Sequence, residues 1–156
     1  MSGRTFTFEV RRTTTAPPKT VFALESDGPS WAKWGKPLIV QAGWEREGDP
    51  APAGVGAIRR VGLWPVLMRE ETVEYEPDRK HVYRFAAGGP AKDYRAELLL
   101  TPTASGGTEI VWTGSFTENP PGTGPLVRAV MRGAIVFLSK RLVAYAERET
   151  ASGATA

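Results

Sequence analysis

Apolar and polar residues alternate with a period of two through most of this chain, and with a helical period in its last long stretch. From Thr5 to Arg12, Phe6, Phe8 and Val10 fall on one face and Thr7, Glu9 and Arg11 on the other. That is the pattern of a half-buried strand. From Gly124 to Glu149 the apolar positions are Leu126, Val127, Val130, Met131, Ala134, Leu138, Leu142 and Tyr145. Arg128, Arg132, Lys140, Arg141 and Arg148 fall mostly between them. The spacing predicts an amphipathic helix of about seven turns. Such a stripe needs a partner, and no other stretch reads as a comparable helix. The partner must be the strand-rich remainder.

Between these two ends the elements follow from local punctuation. Thr13-Thr14-Thr15-Ala16-Pro17-Pro18 is a helix start signal, because proline in a first turn loses no hydrogen bond. Val21, Phe22 and Leu24 predict a short helix ended by Asp27-Gly28-Pro29. Ser30 is placed to cap a second short turn carrying Trp31 and Trp34, which Gly35-Lys36-Pro37 breaks. Leu38 to Glu45 reads as a strand and Gly48 to Gly56 as a loop. Ala57 to Leu63 and Val66 to Tyr75 predict a hairpin around Trp64-Pro65. His81 to Ala86 alternates with Tyr83 and Phe85 on one face, and Ala87 to Ala91 reads as a turn. Tyr94 to Thr101 and Thr108 to Thr117 are the last strands, with Ile110, Trp112 and Phe116 sharing a face. Strands joined by short turns favour an antiparallel sheet, and helices segregated to one side make the chain α+β. A single domain is expected over residues 1–150, with 151–156 as a disordered tail.

Composition narrows the chemistry. A chain of 156 residues is about one domain. The absence of cysteine excludes disulfides, thiolate metal sites and cysteine nucleophiles. One histidine leaves no conventional zinc site, and no cofactor is expected. A net charge of +3 and a pI near 9.4 invite a nucleic-acid partner. However, 17 acidic residues are interleaved with the 20 basic ones and no basic run exceeds two residues, so none is expected. Ala134 to Leu138 is too short to span a bilayer, and MSGRTFTFEV lacks the apolar core of a signal peptide. A soluble, cytoplasmic protein is expected; its oligomeric state is not legible.

Certain phrases, in this order, resemble the START-like helix-grip superfamily, also called SRPBCC, and within it the polyketide cyclase/dehydrase-like branch. They are Ala16-Pro17-Pro18-Lys19-Thr20-Val21-Phe22 followed by Asp27 and Trp34; Gly56-Ala57-Ile58-Arg59; Arg69-Glu70-Glu71-Thr72-Val73; Tyr83-Arg84-Phe85; and Gly107-Thr108-Glu109-Ile110-Val111-Trp112. The resemblance spans about Thr5 to Glu147. It implies a curved antiparallel sheet of six to seven strands wrapped around the C-terminal helix, with a cavity between them. It also implies a hydrophobic small-molecule ligand, such as a lipid, polyketide or aromatic metabolite.

On the concave face, period two would align Tyr83 and Phe85 with Tyr94, Ala96, Leu98 and Leu100, and then Trp112, Gly114 and Phe116. The small Ala96 and Gly114 either leave room for a ligand or let the helix approach closely. From the helix, Val127, Val130, Met131, Ala134 and Leu138 would form the opposing wall. Gly133 weakens the helix and is expected at a bend or a close approach. Trp64, at the hairpin tip, is either a lid over a cavity mouth or a contact for a partner. Arg59, Arg69 and Glu71 are the sharpest polar group. If Val73 and Tyr75 face inward, Glu71 and Arg69 share that face, and Arg59 lies opposite Glu70 or Glu71. A buried pair could orient a ligand or make Glu71 a general acid/base; a solvated pair would contribute under about 1 kcal/mol. His81 follows a turn and is expected at the exposed sheet margin.

Three functions remain open at this level. One is a carrier of a hydrophobic small molecule with no catalytic group. Another is a polyketide cyclase or dehydratase using Glu71, Arg59 and Tyr94. The last is an interaction module that exposes Trp64 and Leu67.

Overall fold

The computed structural model describes residues 3–86 and 91–154. Strand β1 (Thr5–Thr14) is followed by helix α1 (Pro18–Ser26), a single 3₁₀ turn (Gly28–Ser30) and helix α2 (Trp31–Trp34). Strands β2 (Gln41–Arg46), β3 (Ile58–Leu63), β4 (Val66–Glu76), β5 (Lys80–Phe85), β6 (Ala91–Pro102) and β7 (Thr108–Glu118) come next, then helix α3 (Gly124–Ala154). The seven strands form one antiparallel sheet in the order β1-β7-β6-β5-β4-β3-β2. Each strand from β2 to β7 pairs with its sequence neighbour, so only β1 closes onto a distant strand, β7. Bulges in β2, β4 and β6 add twist and curl the sheet around α3. The expected strand from Leu38 begins instead at Gln41, and α3 continues past Glu149 through Ala154. The turn expected at Ala87 to Ala91 lies, up to residue 90, outside the described residues. No described helix is long and apolar enough to cross a membrane.

The start of α3 is set by a carboxylate rather than by its Gly-Pro punctuation alone. Glu118, at the end of β7, accepts hydrogen bonds from Gly122 and Gly124 N–H at 2.9 Å each and from Arg4 N–H at 3.1 Å. These amide hydrogen bonds, Arg4 first, hold the Glu118 pKa below the usual carboxylate value.

Packing along α3 is uneven. Its C-terminal half is locked: Ser139, Leu142 and Ala146 are fully buried, and Leu138 nearly so. Arg12 Nε donates to Ser139 Oγ, Arg141 Nε to the Trp34 carbonyl and Thr14 Oγ1 to Glu147. The N-terminal half is not. Leu126 is 72% exposed and Val130 63%, although both sit on the apolar stripe. The helix therefore stands off the sheet at one end, and the gap is the space described below.

The small residues of the concave face have another use. A Cβ built on Gly114 would overlap the ring of Phe8, its partner on β1. Phe8 fills the room that Gly114 leaves, so this space holds neither a ligand nor the helix. At Gly133 the close approach is absent: a Cβ there would meet nothing within 4 Å. Neither a close approach nor a packing contact requires it. Gly133→Ala should therefore stabilise the fold by about 0.5–1 kcal/mol, read as a raised midpoint of chemical denaturation. A lowered midpoint would mean that the backbone there needs glycine.

Candidate functional site

The site is built where α1 meets the β3–β4–β5 part of the sheet. Helix α1 ends with a carboxylate, Glu25, on its last turn, where the helix dipole disfavours negative charge. Three side chains answer this. Trp31 Nε1 donates to the Glu25 carbonyl at 2.6 Å and Trp34 Nε1 to the Leu24 carbonyl at 3.0 Å. Arg59, from β3, donates through Nη1 to the same Glu25 carbonyl and through Nη2 to Glu25 Oε1 at 3.1 Å. The two tryptophans and Arg59 thus satisfy carbonyls that the helix itself leaves open. The Arg59 guanidinium lies over the Trp31 and Tyr83 rings, 4.3 and 4.6 Å from their centroids.

Arg59 serves a second carboxylate. Its Nε donates to Glu70 Oε1 at 2.8 Å. Glu25 Oε2, in turn, accepts from His81 Nδ1 at 2.7 Å, and His81 Nε2 faces Thr72 Oγ1 at 2.9 Å. The carboxylate can only accept, so the Nδ1 proton is fixed in place. All five side chains are buried. Burial pushes the Glu25 pKa up, but the combined pull of His81 and Arg59 outweighs it and leaves it below the usual carboxylate value. For Glu70 burial wins over the attraction of Arg59, and its pKa is raised. Burial also pushes up the phenols of Tyr83 and Tyr94, with the Glu70 charge as the next cause for each.

Beside this network, between the sheet and the N-terminal half of α3, lies a cavity of about 550 Å³. Trp31, Pro37, Leu38 and Ile39 line it from the short-helix region, and Val61 to Val66 and Met68 from the β3–β4 hairpin. Tyr83, Phe85 and Tyr94 form the sheet wall; Val130, Met131, Ala134, Ile135 and Leu138 form the helix wall. Glu70 is the one charged side chain among these lining residues. Phe85 and Tyr94 pack ring to ring at 4.3 Å. Trp64 is 71% exposed at the rim, beside the exposed Leu63 and Val66.

The residues anticipated from sequence divide accordingly. Trp64, Tyr83, Phe85, Tyr94, Val130, Met131, Ala134 and Leu138 come together around the cavity. Leu98, Trp112 and Phe116 lie deeper, in the solid core, and Trp112 Nε1 donates to the Tyr83 hydroxyl at 3.2 Å. Val127 packs partly buried against that core. Arg69 and Glu71 are on the opposite face, Arg69 paired with Glu45 and Glu71 with Arg46 and Arg84. The partner of Arg59 is Glu70, its direct neighbour across the hairpin. The physical reason is the bulge in β4: Thr72 pairs with Tyr83 and Glu74 with Val82, so Val73 is an extra residue. Counting back by twos from Tyr75 across an extra residue lands on the wrong face. His81 is not at an exposed margin; it is 1% exposed and hydrogen-bonded at both ring nitrogens. Glu25 was missed altogether. The available signal was an acid following the apolar Val21, Phe22 and Leu24 on a short helix.

The sequence profile of the family described as "Polyketide cyclase / dehydrase and lipid transport" matches residues 5–147. The chain belongs to this family. No curated protein sequence matches it. Among solved structures it is similar to Ara h 8.0201, with a TM-score of 0.69 at 16% identity over 92% of this chain and 98% of that one. It is also similar to a norcoclaurine synthase point mutant from Thalictrum flavum in complex with a transition-state analogue. That likeness has a TM-score of 0.73 at 14% identity, covering 96% and 99% of the two chains. A protein of unknown function from Staphylococcus aureus, SA2116, gives a TM-score of 0.75 at 10% identity over 95% and 97%. At these identities the structural likenesses establish the helix-grip fold of this polyketide cyclase-type chain and nothing finer.

The network predicts an acid response. Glu25 has a lowered pKa, so the stability it adds is present above the ordinary carboxylate value and is lost as pH falls through its own lower one. Glu25→Gln should be less stable than the parent near neutrality. The gap should narrow as denaturation is followed from about pH 6 down to about pH 3. A gap that stays constant with pH would show that the charge of Glu25 adds nothing. Arg59→Met leaves two buried carboxylates sharing no cation and should cost about 3–5 kcal/mol at neutral pH, measured by urea denaturation.

Proposed function

We propose that this member of the polyketide cyclase-type family binds a hydrophobic small molecule in the cavity between the sheet and α3. The observation that carries the reading is the cavity itself: about 550 Å³, walled by aromatic and aliphatic side chains. A size of a few hundred cubic ångströms with a predominantly apolar lining is what a drug-sized ligand needs. The aromatic walls, Phe85 and Tyr94 above all, suit a flat ligand. Burying apolar ligand surface there would contribute about 25 cal/mol per Å² before the costs of association. Trp64 and the flanking Leu63 and Val66 act as an apolar lip at the entrance. Their exposure suits a lid that closes over bound ligand.

Ala134 is the most informative position. It lines the cavity from α3 and is small, so a large side chain there occupies ligand space without disturbing the locked C-terminal half of the helix. Titration with pyrene, followed by tryptophan emission, should saturate in the parent at micromolar concentrations. Ala134→Trp should weaken that binding by at least about tenfold while circular dichroism remains that of the parent. Equal binding by the two proteins would place the probe somewhere other than this cavity. No response in the parent would remove the reading.

A further inference from the structure

We infer that the ligand of this cavity carries a hydroxyl group, and that Glu70 is the residue that recognises it. The inference rests on the reading of the cavity as a ligand site. Glu70 is 7% exposed, and its only hydrogen bond among the described residues is the one that Oε1 accepts from Arg59 Nε. No buried side-chain polar atom among the described residues lacks a partner. Oε2, which has none, is therefore not sealed in protein; it is reached from the cavity that Glu70 lines. An acceptor oxygen facing an otherwise apolar wall is costly to leave unpaired, and a hydrogen-bond donor on the ligand removes that cost.

The surroundings choose among donors. An anionic ligand would meet a carboxylate whose arginine is already shared with Glu25. An ammonium group would lose its water against apolar walls, with the Arg59 cation just behind Glu70. A neutral hydroxyl avoids both penalties. The other polar side chains of the wall are already engaged. Trp31 Nε1 is spent on the Glu25 carbonyl, and the Tyr83 hydroxyl accepts from Trp112. Burial, and then the Glu70 charge, push the Tyr94 pKa up, and its hydroxyl is engaged with that of Tyr83. A ligand hydroxyl can donate to Oε2, whereas an ether or a plain hydrocarbon cannot.

Three probes of one ring system test this: hydroxypyrene, methoxypyrene and pyrene, titrated by fluorescence into the full chain. The parent should bind hydroxypyrene about ten- to a hundredfold more tightly than methoxypyrene or pyrene. In Glu70→Gln, with its fold checked by circular dichroism, the preference should shrink to about threefold or less. Glu70→Asp keeps the charge but shortens the side chain by one methylene and so withdraws the carboxylate; it should give an intermediate preference and covers the case in which the amide variant does not fold. Equal affinity of the parent for all three probes would overturn the inference while leaving the cavity as a ligand site. A full preference that survives in folded Glu70→Gln would overturn the role of Glu70. If none of the probes binds the parent, the ligand-site reading itself falls, and this inference with it.

Discussion

One arginine holds two carboxylates in the interior of this protein, and much of the site depends on that shortage of positive charge. Arg59 closes the end of α1 through the Glu25 carbonyl, pairs with the Glu25 side chain, and pairs with Glu70 on the neighbouring strand. Glu25 has further help from His81; Glu70 has none among the described residues. Burial raises both pKa values, but the combined pull of His81 and Arg59 leaves that of Glu25 lowered, whereas that of Glu70 stays raised. A buried ionic cluster of this kind is weak evidence for stability, because removing charges from water costs about as much as their attraction returns. What it does secure is geometry. It fixes α1, β3, β4 and β5 to one another around a point where the backbone ends of a short helix would otherwise be unsatisfied.

The cavity follows from how α3 is held. Side chains of β1, α1 and α2 grip its C-terminal half through Leu138, Leu142 and Ala146 and through the polar ties of Ser139, Arg141 and Glu147. The opposite end is tied at its first turn by Glu118 and rests on Phe6 through Gly124 and Arg128. Between these anchors the helix spans the curved sheet, and Val130, Met131 and Ala134 line the cavity. A close-packed interior would have buried Val130. Its exposure is the mark, on the helix, of space kept open.

Much of this was legible from residue order. Period-two alternation located the strands, a 3.6 period located α3, and the Pro- and Gly-rich breaks located the turns. The two tryptophans of α2 are buried, and their indole N–H groups satisfy the last carbonyls of α1. Half of the anticipated cavity wall, from Tyr83 and Phe85 to Met131 and Ala134, also follows from alternation and helical spacing alone. The failures are concentrated where one residue disturbs the count. The bulge at Val73 reverses the facing of everything before it on β4, which moved Glu71 out and brought Glu70 in.

What the sequence determined by itself is the set of elements, their antiparallel succession and the family. These depend on local preferences and on hydrophobic periodicity, which each segment carries independently. What only the tertiary structure decided is which charges are inside. His81 and Glu25 are 56 residues apart, and neither is apolar, yet they bond at 2.7 Å in the interior. No periodicity can anticipate such a pair, because each member is tolerable in the core only when the other is present. The same holds for the small residues: Gly114 could have made room for a ligand or a helix, and the space belongs to Phe8 because β1 pairs with β7 in that register.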